Sequence, residues 1–322
     1  MRIITLDDFI DTYAKLKQRG LGFISSKFKI SKIKRAKTAF NHKDINSSNW
    51  WIIPEIRKRW NKMVTGKENI DFVNFVMANH LKDQSNLRML SLGSGNCATE
   101  LQFASFNNFQ EIICCDISDI LLKNAEKEAH ANQFNNIKFI IQDANTYVFD
   151  DNYFDIVYFR ASLHHFKQVD QLIGKRVKNG LKDNGLLIID EYVGPNRIQF
   201  PKHQIKAINK ALNIIPKRYR RRFMLNAHKN RVFGSGIIRM KIADPSECIE
   251  SERIIPVIHK NFEKVFEAPY GGNILMTTLK DISHHFIELD TEKEKVLKSL
   301  FELEDDYLVT NDSDFIFGIY QK

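Results

Sequence analysis

The sequence predicts an α/β fold, a mostly parallel sheet covered by helices on both faces. Two observations carry this expectation. From Asp83 to Asp190, short apolar runs alternate with stretches of helical spacing, the chain order that builds a parallel sheet through crossover helices. The runs are also apolar nearly throughout rather than at every second residue, as strands buried on both faces must be. Hydrophobic residues make up 43% of the 322 and charged residues 27%, which excludes a disordered or fibrous chain.

Taken in order, residues 1–82 read mainly as helices, with starts near Leu6-Asp7-Asp8 and after Pro54. All three tryptophans, Trp50, Trp51 and Trp60, fall here and predict a packing seam against the next unit, with substrate stacking as the lesser alternative. Leu87–Leu92 is a strand ending at a Gly turn, and Cys97–Phe106 reads as a helix. Ile112–Asp116 is a second strand, and Asp119–Asn132 has helical spacing of Ile120, Leu121 and Ala125. Ile137–Ile141 and Phe154–Phe159 are the third and fourth strands, a helix spans Val169–Leu181, and Gly185–Asp190 is the fifth strand. Gln204–Ile215 places Ile205, Ile208, Leu212 and Ile215 on one helical face. Pro245–Lys260 reads as a helix opened by Asp-Pro, Lys264–Glu267 as a strand, Asn273–Phe286 and Thr291–Tyr307 as helices, and Phe315–Tyr320 as the last strand. The expected organisation is an N-terminal helical cap (1–82), a core in two parts (83–192 and 244–322), and a helical insertion (193–243).

Charge is partitioned sharply. Val193 to Ala243 holds thirteen Lys or Arg and no Asp or Glu, and residues 1–80 hold sixteen basic against seven acidic residues. The net charge of +9 therefore comes from these two segments and the remainder is acidic. A carboxylate-free stretch of this length predicts a phosphate-bearing partner, with Arg218, Arg220, Arg221 and Arg222 as its expected ligands. The helix inside it is expected to act as a lid over the active site, a membrane-surface helix being the alternative. The Lys27–Lys37 cluster reads as solvated surface. No apolar run approaches membrane-spanning length, and Asp7, Asp8 and Asp11 argue against a secretory leader. The four Cys show neither a disulfide framework nor zinc spacing. A reduced, cytoplasmic protein of unknown oligomeric state is expected.

Gly93-Ser94-Gly95-Asn96-Cys97-Ala98 follows the first strand and opens a helix, fitting G-x-G-x-x-G/A. Such glycines allow a tight turn and let a ligand approach backbone amides at a helix N-terminus. Asp116 ends the next strand, where a carboxylate can accept ribose hydroxyls. Placed strand–turn–helix–strand–Asp, the pattern predicts a Rossmann-like fold and an adenosine-containing cofactor.

With LSLGSG (90–95), CDIS (115–118), Gln142-Asp143-Ala144, FDIV (154–157), Leu163-His164-His165 and Gly185–Ile189, the chain resembles the class I S-adenosylmethionine-dependent methyltransferases over about 87–192 and 244–322. The resemblance implies a seven-stranded sheet whose last strand, FIFGIY, is reversed. It also implies S-adenosylmethionine as cofactor and S-adenosylhomocysteine as product. The turn, Gly93 to Asn96 with Ser94 and Gly95, would hold the methionine part, and Asp116 with Ile117 the ribose. Asp143 with Ala144 would meet adenine, and Arg160 would line the same pocket. Many members have an acid where this chain has Ser91 and a third Gly where it has Cys97. The run DEYVGP (190–195), with DPSE (244–247), is similar to a bacterial subgroup associated with glycans and small metabolites.

Methyl transfer is an in-line displacement, so a base is needed only when the acceptor arrives protonated. His165, then His164, at the carboxyl edge of the fourth strand, are the candidates, with Glu191 and Tyr192 beside them after the fifth strand. A helix-capping role for one His, and ion pairing of Glu191 with the basic segment, remain open. His284-His285 reads as structural, and no residue set has metal-ligand spacing. Arg160-Ala161-Ser162-Leu163 is unlike the Pro-Pro-aromatic run of nucleobase amino methyltransferases. The acceptor expected is therefore an anionic small molecule such as a phosphorylated or nucleotide-linked sugar. RNA is the alternative, and a non-catalytic cofactor-binding protein a further one. A nicotinamide oxidoreductase ranks low, since Tyr-x-x-x-Lys occurs only as Tyr13 and Lys17, before the sheet.

Overall fold

The computed structural model describes residues 1–19 and 48–322; the Lys27–Lys37 cluster lies outside the described residues. Seven strands, β1 (Leu87–Leu92), β2 (Phe109–Asp116), β3 (Ile137–Ile141), β4 (Phe154–Arg160), β5 (Leu181–Tyr192), β6 (Glu263–Gly271) and β7 (Phe315–Gln321), form one sheet. Their order is β3-β2-β1-β4-β5-β7-β6. The first five run parallel, and β7 lies antiparallel between β5 and β6. The order reverses between β1 and β4, so the crevice that binds ligands in open α/β sheets opens at their carboxyl ends.

Both faces are covered, which is why the strands read as unbroken apolar runs. Met89, Ile112, Cys114 and Tyr158 pack on one side with helices α1 (Phe72–Asn79), α2 (Ala98–Ala104) and α3 (Asp119–Ala131). Leu90, Ile113, Cys115 and Phe159 pack on the other, against 169–180 and α4 (Ile254–Asn261). Adjacent Cys114 and Cys115 thus face opposite sides of the sheet, and all four Cys are free and buried.

A third apolar cluster lies beyond the strand ends. It joins Trp50, Ile53 and Ile56 to Ile208 and Leu212 of the helix Lys202–Ile214 and to Leu275, Leu297 and Leu300. The insertion therefore docks on the helices that follow β6. The first helix, Leu6–Arg19, sits elsewhere: Asp7 and Asp8 accept the amides of Phe233, Gly234 and Gly236, and Asp8 pairs with Arg239 at 2.8 Å. Among the described residues of this N-terminal stretch, the first helix contacts the insertion and α1 packs on the sheet.

Two helical expectations differ from the structure. Helix replaces loop only from the turn Ser251–Arg253 that leads into α4, because the carbonyls of Pro245 and Glu247 accept the Arg197 guanidinium and Asp244 Oδ1 accepts the Ser246 amide and hydroxyl. Asn273–Phe286 is interrupted after the short helix Leu275–Leu279 by Asp281 at φ 69°.

Candidate active site

The carboxyl edge of the sheet opens on a cavity of about 700 Å³. Gly93 turns at φ +72°, and a Cβ there would lie 2.7 Å from Ser162 Cβ, so the turn takes glycine for both reasons. Gly95, at φ +56°, faces open space, leaving its backbone reachable by a ligand. Asp116 accepts the amides of Gly95 (2.9 Å) and Ser118 (2.7 Å). Burial pushes its pKa above the ordinary carboxylate value, against the pull of those amides. Asp143 accepts both nitrogens of Asn145, and Arg160 pairs with Asp190, which also accepts the Tyr270 hydroxyl at 2.6 Å. Gly93, Ser94, Gly95, Asn96, Asp116, Ile117, Asp143, Ala144 and Arg160 all line this one cavity.

Two buried groups on its wall lack what they need. Ser94 Oγ is buried with no hydrogen-bond partner. Glu100, on α2, is buried, and its side-chain partners among the described residues are the hydroxyls of Ser91 (2.6 Å) and Thr99 (3.1 Å). Burial raises its pKa. An orphaned hydroxyl, a glycine facing open space and a buried carboxylate with no direct ion pair among the described residues fit a ligand bearing hydroxyls and an ammonium group. Glu100 carries no motif of its own in the sequence; Ser91, standing where many members of the resembled family have an acid, is the nearest signal to it.

At the other end, His165 lines the cavity, while His164, Glu191 and Tyr192 stand behind it. Glu191 is a clamp: one oxygen accepts the amides of Ser162 and Leu163 at 2.6 Å each, and the other meets His164 Nδ1 at 2.7 Å. Its ion pair is thus with His164 and not with the basic segment. Burial would lower the His164 pKa, but the Glu191 carboxylate, helped by Glu247, holds it above the ordinary value. Burial and the neighbouring His164 push His165 below it. Tyr192 is buried and donates to the Pro195 carbonyl, so its hydroxyl is committed to the backbone. Glu247, which sequence spacing did not single out, lies 3.9 Å from His164 Nε2 and 4.0 Å from His165 Nε2. These three are the group of described residues able to hold a metal ion.

The arginine cluster stands apart from this cavity. Arg218 pairs with Glu292, Arg222 is buried against Asp281 at 2.7 Å, Arg221 bridges to His228, and none of these, nor Arg220, lines the cavity. No residue of 193–243 does, because the insertion's apolar face is spent on the third cluster. The wall comes instead from Trp50, Trp51, Trp60, Tyr270 and Phe315, with Arg57 and Lys167. Trp50 packs edge-on against Trp60 at 4.7 Å, so the tryptophans form both the packing seam and the cavity wall. The indole nitrogen of Trp60 is buried without a partner. His284 and His285 bond Ser48 and the Arg221 carbonyl, outside the cavity.

Residues 83–268 match the methyltransferase domain family. An uncharacterized methyltransferase, YcgJ, of Bacillus subtilis (strain 168) is 27% identical over 128 residues, covering 36% of this chain and 49% of the relative. Phosphoethanolamine N-methyltransferase 2 of Caenorhabditis elegans is 32% identical over 77 residues, covering 24% of this chain and 17% of its own. The chain thus spans half or less of the length of these curated relatives. The crystal structure of geranyl diphosphate C-methyltransferase from Streptomyces coelicolor A3(2) superposes with a TM-score of 0.51 at 8% identity, over 90% of this chain and 97% of that one, a likeness of fold. The chain belongs to the methyltransferase domain family and has the seven-stranded fold of its class I, S-adenosylmethionine-dependent members.

Proposed function

We propose that the protein transfers the methyl group of S-adenosylmethionine to an O or N atom of an anionic small molecule. The observation that carries this reading is the two-ended cavity. One end holds the unsatisfied Ser94 hydroxyl, the open Gly95 backbone and Glu100, and the other holds His165 beneath an aromatic wall with two basic side chains. In this reading Gly93 to Asn96 hold the methionine part, with Glu100 against its ammonium. Asp116 and Ile117 take the ribose, and Asp143 and Ala144 the adenine. Arg160, tied to Asp190, closes the floor. The cofactor supplies an electrophilic methyl; the chain's task is to align an acceptor atom about 3 Å from it and keep water out.

His165 meets the acceptor atom, and His164 is its near neighbour. Glu191 and Tyr192 act through them as positioning residues. Arg57 and Lys167 have no acidic partner among the described residues, and with the Trp60 N–H they suit a phosphate or carboxylate. The partial relative from Caenorhabditis elegans is named for a phosphorylated amine, which agrees with this class and goes no further.

Incubation with methyl-labelled S-adenosylmethionine and a fractionated cell extract tests the proposal. Label is expected in the acidic small-molecule fraction; label in RNA alone, or in none, overturns it. With the acceptor in hand, Arg57→Ala should raise its KM about tenfold or more, the loss of one charge-assisted hydrogen bond, and leave cofactor affinity unchanged.

A further inference from the structure

We propose that His164, His165 and Glu247 form a binding site for a divalent transition-metal ion of the Zn²⁺ class at the acceptor end of the cavity. Their ligand atoms all lie within 4.8 Å of one another, although Glu247 follows the histidines by more than eighty residues. Each contact from a histidine Nε2 to Glu247, 3.9 and 4.0 Å, is too long for a hydrogen bond. Two ligands held tetrahedrally at about 2.0–2.2 Å from one ion stand about 3.3–3.6 Å apart, so an ion would draw these side chains together by about half an ångström.

The supporting shell is already built. His164 Nδ1 donates to Glu191, which leaves Nε2 as the ligating atom, the carboxylate–histidine arrangement that orients metal ligands. Arg197 grips the carbonyls on either side of Ser246, and Asp244 accepts the Ser246 amide and hydroxyl, so the turn presenting Glu247 is fixed. His165 Nδ1 lies 3.3 Å from Ser246 Oγ, which sets its ring as well. Glu247 also meets the Cys248 thiol at 3.2 Å, a weak contact that an ion would outcompete. The protein's other adjacent pair, His284 and His285, has no such third ligand among the described residues.

Two imidazoles and one carboxylate suit a borderline divalent ion rather than Mg²⁺ or Ca²⁺. Three protein ligands leave a coordination position open, and His165 and Ser246 place it on the cavity. The role of the ion rests on the function proposed above. An acceptor hydroxyl bound there would release its proton to bulk solvent as it binds, and its oxygen lone pair would then form the bond to the methyl carbon. The carbon–sulfur bonding pair would pass to sulfur, giving a neutral thioether.

The test uses the full chain, stripped with a chelator and titrated with Zn²⁺ by calorimetry, with Co²⁺ absorption as a report on ligand geometry. One Zn²⁺ per chain is expected. His165→Ala and Glu247→Gln should abolish it, Glu191→Gln should weaken it about 10–100-fold, and His284→Ala should leave it unchanged. Circular dichroism and S-adenosylmethionine binding report whether each variant is folded. Failure of the wild-type chain to bind Zn²⁺, or undiminished binding in folded Glu247→Gln and His165→Ala, overturns the proposal and leaves His165 to act on the acceptor proton itself. Because Zn²⁺ is titrated without cofactor, failure to bind S-adenosylmethionine would count against the proposed function and not against the metal site.

Discussion

Glu100 shows how a single buried carboxylate can point to a ligand. Burial disfavours its charge, and the two hydroxyls and the nearby Arg160 only partly offset that cost. If the cofactor's ammonium offsets the remainder, Glu100→Gln should weaken both S-adenosylmethionine and S-adenosylhomocysteine by about 1.5–3 kcal/mol, read by calorimetry. 5′-Methylthioadenosine, which lacks the amino-acid end, should bind the variant as it binds the wild type. A uniform loss across all three ligands would mean that the substitution had disturbed the fold of the turn. The turn and the acids after β2 and β3 were legible in the sequence because strand, turn, helix and strand follow one another with fixed spacing. Glu100 was not, since a Glu in the first turn of a helix is ordinary on a surface, and only its burial makes it informative.

At the level of elements, what the sequence could not disclose is which apolar face meets which. The helix Lys202–Ile214 has the amphipathic spacing of a lid, and that spacing is equally that of a helix docked on its neighbours. Ile208 and Leu212 find Leu275 and Leu300, so the basic segment is held away from the cavity. Its arginines then divide by burial. Arg222→Ala should destabilise the protein by about 3 kcal/mol, since it strands a partly buried Asp281. Arg218→Ala, at an exposed pair with Glu292, should change stability little. Neither should alter acceptor KM, and a large rise in either would return the cluster to the acceptor site. The turn 244–250 was missed for a related reason: Asp-Pro does signal a helix start, but Arg197, distant in sequence, captures the carbonyls that the helix would have used.

Across the whole molecule, a polar cluster fastens three distant pieces of chain. Asp11 of the first helix pairs with Lys280, Arg222 of the insertion pairs with Asp281, and between them Lys229 donates to the carbonyls of Thr277 and Lys280. Burial pushes the Lys229 pKa down to about 7, with Arg222 and Lys280 acting in the same direction and Asp281 and Asp11 opposing. Between pH 7 and the ordinary lysine value of 10.5, the unfolded chain therefore binds the extra proton and the folded chain does not. Lys229 thus contributes a rise of stability with pH across that window, which the buried thiols of Cys114, Cys115 and Cys248, pushed up by burial, oppose at its upper end. Thermal melts from pH 7 to 9 should show the rise, and Lys229→Met should flatten it. A flat profile in the wild type would mean that the carbonyls keep the ammonium charged.

The aromatic wall has a consequence for how such proteins diversify. Trp50, Trp51, Trp60 and Phe315 lie outside residues 83–268, the stretch shared with the domain family, whereas the Gly turn, Asp116 and Asp143 lie inside it. Three of those four aromatic residues, Trp50, Trp51 and Trp60, precede the sheet, and Phe315 opens its last strand. On the function proposed above, exchange of the segment that carries the tryptophans would reshape the acceptor wall and leave the Gly turn, Asp116 and Asp143 in place.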